Sequence, residues 1–327
     1  MPGAYLLRHT EEDMSELSPF RLAPYFRTRI WGFHDLAPWF DYKTDGEPIG
    51  EVWLTGEMCK AATGPFEGQT LRAITDAHGP ELLGSALGDG EFPLLIKMLF
   101  PKEKLSVQVH PDDAMARKYG EPRGKTECWY ALDAEPGATV ALGIRPGVTV
   151  DQVRASIKAN TLEELLEMIP VEKNDMLFVD AGTVHAMGPG VVILETQQSS
   201  DLTYRMYDYG RPRELHLEKS LEAMRLKTRA GKIPPHSVNG HSVIIDERYF
   251  EIESWPISAG EAPDALTSEI DAVQIFFVAG GTVCVTGSGE SFPANRFELF
   301  VVPAAARGVK IHAESTAEVI RILPKAV

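Results

Sequence analysis

Four side chains from three separated stretches carry the donor atoms of a metal site. Gln108-Val109-His110 lies in an apparent strand, LSVQVH, where residues two apart share a face, so an amide and an imidazole project together. Glu127 heads the next apparent strand, ECWYAL, and His185 follows a glycine turn in Asp180-Ala181-Gly182-Thr183-Val184-His185, at the expected end of a strand. Two imidazoles, a carboxylate and an amide oxygen suit a divalent zinc-like ion, with manganese or iron(II) as chemically allowed occupants. No thiolate belongs to the set. That argues against a closed structural zinc site and for one that keeps a position open to water or substrate. A lone strand histidine is more often a packed or surface residue. Ligands converging from adjacent strands lift these four above that reading.

The elements that must position them are mostly strands. Residues 92–100 (FPLLIKMLF) form an apolar run bounded by prolines, which suits a strand buried on both faces. Alternating runs follow at 105–144, and strands return at 175–180, 191–197 and 203–208. Residues 69–87 predict one or two short helices with Leu71, Ile74, Leu82 and Leu83 inward, and 214–226 predict an amphipathic helix. Between 149 and 169, Thr149…Gln152 and Thr161…Glu164 both have capping-box spacing, which predicts two short helices. The proline-containing stretch 232–242 is the candidate linker, and 243–327 reads as all-β, as in a sandwich or barrel. Gly280-Gly281 is the expected hairpin turn in that region. No His-x-His occurs there, so no second metal is expected. His9, His34, His78, His216, His236, His241 and His312 lack neighbouring ligands in the sequence and read mainly as surface residues. Trp129 and Tyr130 read as barrel core.

Composition narrows the classes. The 327 residues are 44% hydrophobic and 24% charged, so the chain can bury a core and is not disordered as a whole. A net charge of −15 argues against nucleic acid and anionic membranes as partners, and an anionic substrate then needs a local cationic cluster. Three scattered cysteines, Cys59, Cys128 and Cys284, together with an N-terminus lacking a signal-peptide stretch, point to a reduced, cytoplasmic protein.

Several of these stretches resemble a known family. Asn174-Asp175 through His185 is similar to the second cupin motif, and Gln108-x-His110 with Glu127 to the first, with Gln in place of its leading His. More specifically, FPLLIKMLFP (92–101), LSVQVHPDD (105–113), GKTECWYALDAEPGA (124–138), DAGTVHAMGPG (180–190) and ILETQQSSDLTYRMYDYGR (193–211) resemble the type I phosphomannose isomerases, in their short bacterial form. Where that family usually reads Gly-Glu-Ser-Trp, this chain has Gly50-Glu51-Val52-Trp53. The fold implied is mainly β with helical insertions: a cupin-type jelly-roll barrel with the metal site over 1–235, and a smaller jelly-roll-like β domain without metal over 236–327.

The resemblance implies that Gln108, His110, Glu127 and His185 hold one Zn2+ per chain, that Arg205 is catalytic, and that Lys125 and Ser106 stand in the substrate pocket. It also implies reversible interconversion of mannose 6-phosphate and fructose 6-phosphate. That chemistry moves a proton between C1 and C2 through an enediol, so developing oxyanion charge must be stabilised. A phosphorylated hexose is near a dianion at neutral pH, for which Lys125 and Arg205 are natural partners, with Lys97 or Arg211 as helpers. The base is open. Glu195 shares a strand face with Ile193 and Gln197 and is one candidate; its alternative roles are pairing a cation or holding a ligating histidine. Lys125 is a second candidate. An iron-dependent cupin oxygenase and a non-catalytic sugar-phosphate-binding regulator are the competing readings. A monomer or weak homodimer is expected.

Overall fold

The computed structural model describes residues 17–88 and 90–326; His9 lies outside them. Two β-sandwiches stand side by side. In the first, a seven-stranded antiparallel sheet runs in the order 231–233, 176–179, 127–134, 191–198, 94–99, 49–53, 25–33. It faces a five-stranded sheet ordered 204–207, 107–109, 185–187, 139–144, 166–170. The second sandwich pairs another seven-stranded sheet with a three-stranded one formed by 290–295, 282–287 and 310–313.

Alternation along the strands decides what each face buries. In Leu94–Leu99 every residue is buried, because both faces of this central strand are covered. Ile96 and Met98 point into the apolar layer between the two large sheets, with Cys128, Tyr130, Phe178 and Leu194 beside them and Ile252, Ile275, Phe277, Val301 and Ile320 opposite. The intervening residues point the other way, into the first sandwich, where Trp129, Leu177, Val140 and Ile193 fill the core. The helices Val150–Ala159 and Leu217–Ala223 close the outer face of the five-stranded sheet through Val153, Ile157 and Ala223.

One strand crosses the expected division at residue 235. Phe20–Leu22 pairs with Leu299–Val301 and so forms the edge of the far sheet. The stretch 232–242 carries the chain from one sandwich to the other, and most of it is itself strand. Ile233 still pairs with Met176 in the first sandwich, Pro234-Pro235 carry the chain across, and His236 pairs with Val243 in the second. Two of the expected helices also differ. The capping box at Thr149 and Gln152 forms and starts the helix Val150–Ala159. At Thr161 no side-chain cap forms; Leu162–Leu165 makes one 3-10 turn before Leu166–Pro170 is drawn into pairing with Thr139–Ile144. The amphipathic helix at 214–226 is confined to Leu217–Ala223.

Between Leu71 and Leu83, His78 leaves helical geometry just before Pro80, so two helices meet at a kink, and Leu71, Ile74, Leu82 and Leu83 are all buried. Gly280-Gly281 is a corner and not a hairpin: the strands on either side belong to different sheets. A side chain at Gly281, where φ is 75°, would meet the Thr316 carbonyl oxygen. The helix Asp113–Lys118 and the strand Glu290–Asn295 were not foreseen.

Candidate functional site

Register builds the site. In the five-stranded sheet, Gln108 is directly opposite His185 on one side and Arg205 on the other. In the facing seven-stranded sheet, Glu195 is opposite Lys97 on one side and Trp129 on the other. Glu127, two residues before Trp129, shares that face. His185 opens the strand His185–Met187; it does not end one. The structure therefore gathers Gln108, His110, Glu127 and His185 between the two sheets, and His110, Glu127 and His185 are almost wholly buried.

The donor atoms lie at ligand separations. His110 Nε2 is 3.5 Å from Glu127 Oε2, and His185 Nε2 is 3.4 Å from Glu127 Oε1. Tetrahedral coordination with bonds near 2.1 Å has edges of about 3.4 Å. The Gln108 amide nitrogen is 3.2 Å from His185 Nε2, so rotation of the amide brings its oxygen to the same point. Each imidazole is oriented by its other nitrogen. His110 Nδ1 is 2.9 Å from the Leu202 carbonyl oxygen, and His185 Nδ1 is 2.9 Å from that of Thr183. Only an N–H sits well against a carbonyl, so both Nε2 lone pairs face the cluster, as metal ligation requires. Burial and the charge of Lys125 hold His110 well below its ordinary pKa and bring His185 down to about 4, keeping both rings neutral at pH 7. Glu127 Oε2 is buried and accepts no well-formed hydrogen bond; the Lys125 ammonium stands 3.0 Å from it. A neutral histidine pair around an under-satisfied carboxylate oxygen fits a divalent cation.

Beside the cluster opens a cavity of about 500 Å³. Ser106, Gln108, Lys97, Lys125, Glu195 and Arg205 all line it. Lys97 Nζ is 3.0 Å from Glu195 Oε1, and Lys125 Nζ is 3.9 Å from the same atom. Trp129 does more than fill the core: its Nε1–H lies between Glu127 Oε1 at 3.2 Å and Glu195 Oε2 at 3.0 Å. Burial and the neighbouring Glu127 charge raise the Glu195 pKa, against the pull of Lys97 and Lys125. For Lys97, burial opposes its charge, but Glu195 and Glu51 outweigh it and raise the pKa. Lys97 is thus a fixed cation in a buried wall.

Five residues, Arg213, Asp208, Arg29, Glu51 and His216, contribute without a signal in the sequence pattern. Arg213 lines the cavity, whereas Arg211 is held on buried Asp208, at 2.7 Å, and is not part of the wall. Asp208 also grips Arg213, at 2.6 Å, and so fixes its direction. Arg29 and Glu51 form a two-pronged pair at 2.9 Å, with the Trp53 indole N–H donating to Glu51, and this pair stands next to Lys97. His216, read as a surface residue, accepts the Arg205 backbone N–H at Nδ1, 3.1 Å away, and the Arg205 guanidinium donates to the Glu214 carbonyl oxygen at 2.7 Å. Asp208, Arg213 and His216 come from irregular segments, where no periodicity signals which way a side chain points, whereas Arg29 and Glu51 sit on the strands 25–33 and 49–53.

Residues 19–145 match the family model of the phosphomannose isomerase type I catalytic domain. The mannose-6-phosphate isomerase of Streptococcus mutans is 36% identical over 253 residues, 73% of this chain and 79% of that protein. The mannose-6-phosphate isomerase ManA of Bacillus subtilis is 36% identical over 259 residues, 73% of this chain and 80% of its own length. The chain belongs to the type I phosphomannose isomerase family. The crystal structure of a mannose 6-phosphate isomerase from Bacillus subtilis superposes with a TM-score of 0.83 at 32% identity, covering 94% of this chain and 99% of that one. The likeness extends through both sandwiches, which are the jelly-roll barrels of this cupin family. Its members are metal-dependent aldose–ketose isomerases. Among the described residues no helix is long and apolar enough to cross a membrane.

Proposed function

We propose that this chain interconverts mannose 6-phosphate and fructose 6-phosphate in the cytoplasm, with Gln108, His110, Glu127 and His185 holding one divalent cation, zinc by preference. The observation that carries the reading is the juxtaposition of a neutral His/Glu/His cluster with a cavity walled by Lys97, Lys125, Arg205 and Arg213. In a chain of net charge −15, such a wall is where a phosphorylated sugar finds its counter-charge. Held by Gln108, His110, Glu127 and His185, a divalent cation would supply Lewis-acid polarisation of the sugar's oxygens and stabilise developing negative charge. Arg205 and Arg213 present rigid, permanently charged forks to the phosphate or to the enediolate oxygens. Glu195, buried and raised in pKa, takes the proton from one carbon and returns it to the other. Lys125, within 4 Å of Glu195, supplies and receives the proton on oxygen. Lys97 keeps the Glu195 carboxylate in place, and Ser106 contributes a hydroxyl to the wall.

The test is formation of fructose 6-phosphate from mannose 6-phosphate, read through a coupled redox assay. Turnover is expected to vanish on chelation and to return with zinc. Absence of turnover with zinc, manganese or iron(II) restored would refute the proposal. An oxygen-consuming reaction with iron(II) would favour the oxygenase reading instead.

A further inference from the structure

Three backbone segments bring the reactive groups to the centre, and one carboxylate outside the cavity ties them together. His110 leads directly into residues 111–113; Lys125 and Glu127 follow Gly124; Glu195 is three residues before Gln198. Asp113 Oδ1 accepts the Gly124 backbone N–H at 2.8 Å and the Gln198 side-chain N–H at 3.0 Å. The buried Gln198 amide oxygen in turn accepts the Thr126 N–H at 2.9 Å, and the Lys125 N–H donates to the Pro111 carbonyl at 3.0 Å. The other Asp113 oxygen, Oδ2, accepts the Tyr249 hydroxyl at 2.8 Å. Tyr249 lies in the tight turn between strands His241–Asp246 and Phe250–Ile257 of the second sandwich. The Lys325 N–H holds its carbonyl at 2.9 Å. Asp113, Gln198 and Tyr249 do not line the substrate cavity.

We propose that Tyr249 and Asp113 are positioning residues through which the C-terminal sandwich sets the geometry of Lys125, Glu127 and Glu195. The chain of contacts is short: hydroxyl to carboxylate, carboxylate to the Gly124 amide and the Gln198 side chain, and from those to the three reactive groups. The fold-level consequence is that the second sandwich takes part in the reaction without touching substrate. This inference rests on the isomerase reading for its kinetic part, and its structural part is independent of it.

Tyr249→Phe removes the hydroxyl alone. It is expected to lower kcat for mannose 6-phosphate three- to tenfold, to leave KM within twofold, and to change the melting temperature by no more than a few degrees. Hydrogen exchange of the amides at 124–127 is expected to quicken in the same variant, with exchange elsewhere in the first sandwich unchanged. Asp113→Ala should lose more activity than Tyr249→Phe. Asp113→Asn, which keeps one oxygen for Gly124 and Gln198 and an N–H for the Tyr249 oxygen, should recover most of it. Wild-type kcat and wild-type exchange in Tyr249→Phe would overturn the proposal, as would equal loss in Asp113→Asn and Asp113→Ala. If the wild-type chain fails to isomerise mannose 6-phosphate while exchange at 124–127 still responds to Tyr249→Phe, the functional reading falls and the positioning link stands.

Discussion

Glu51 shows how charge is stored at the level of single residues. Burial alone would raise its carboxyl, but Lys97 and Arg29 outweigh that and bring the pKa to about 2. A carboxylate whose folded pKa lies below its unfolded value contributes stability above the unfolded pKa, and that contribution is lost as pH falls through the folded one. The window here runs from about pH 4.5 down to about 2, and a shift of this size is worth about 3 kcal/mol. Glu51→Gln is therefore expected to flatten the fall of melting temperature across that window, measured by circular dichroism. At the cavity wall, Arg205→Ala should lower kcat on the order of a hundredfold, and Glu195→Gln by at least as much, both with bound metal retained by elemental analysis. Metal loss in parallel with activity would instead assign either residue to holding the site together. The convergence of Gln108, Glu127, His185 and Glu195 was legible from the sequence because they sit on strands, where a period of two says which way each points, and His110 directly follows the strand Val107–Val109. Arg213, Asp208 and His216 were not, because their directions are set by turns and by contacts between irregular segments.

The same contrast holds for elements. Thr149 and Thr161 have the same capping spacing, yet only Thr149 caps a helix. Local chemistry was equal; at Thr161 strand pairing by Leu166–Pro170 won, which no window of a few residues could show. The 232–242 stretch reads as polar and irregular for a related reason, since its residues on either side of Pro234-Pro235 sit on edge strands whose open face accepts polar side chains. The loop that delivers Lys125 was legible only as sequence, and its tightness is a structural finding. A methyl group on Gly124 would stand 2.5 Å from the Pro111 carbonyl oxygen. Gly124→Ala must push this loop away from residues 111–113. It is expected to cost about 1–3 kcal/mol of stability and to reduce kcat by a larger factor than any control substitution of equal thermal cost. Thermal melts and steady-state rates on the same samples check it; unchanged kcat in a destabilised protein would show that the loop tolerates displacement.

The whole molecule is held by the apolar layer between its two large sheets. Ile96, Met98, Phe178 and Leu194 from the first sandwich meet Ile252, Ile275, Phe277 and Ile320 from the second, all almost fully buried. Neither sandwich can shed the other without exposing a continuous apolar sheet face, an unfavourable surface for a free domain. Unfolding is accordingly expected as one cooperative calorimetric transition, with the calorimetric and van't Hoff enthalpies in agreement. Two separated transitions would contradict it. The sequence did disclose two β regions, but the layer joining them was hidden, because a strand buried on both faces reads the same whatever covers its second face.

The placement of Phe20–Leu22 has a further consequence, in biosynthesis. Its partner Leu299–Val301 is made about 280 residues later. At roughly 5–20 residues per second, the ribosome needs some tens of seconds to deliver it. During that interval the nascent first barrel carries an unmated segment at its start and a bare greasy flank. The polypeptide is thus sewn shut by a strand made late, and Phe20–Leu22 is among the last segments to find its place.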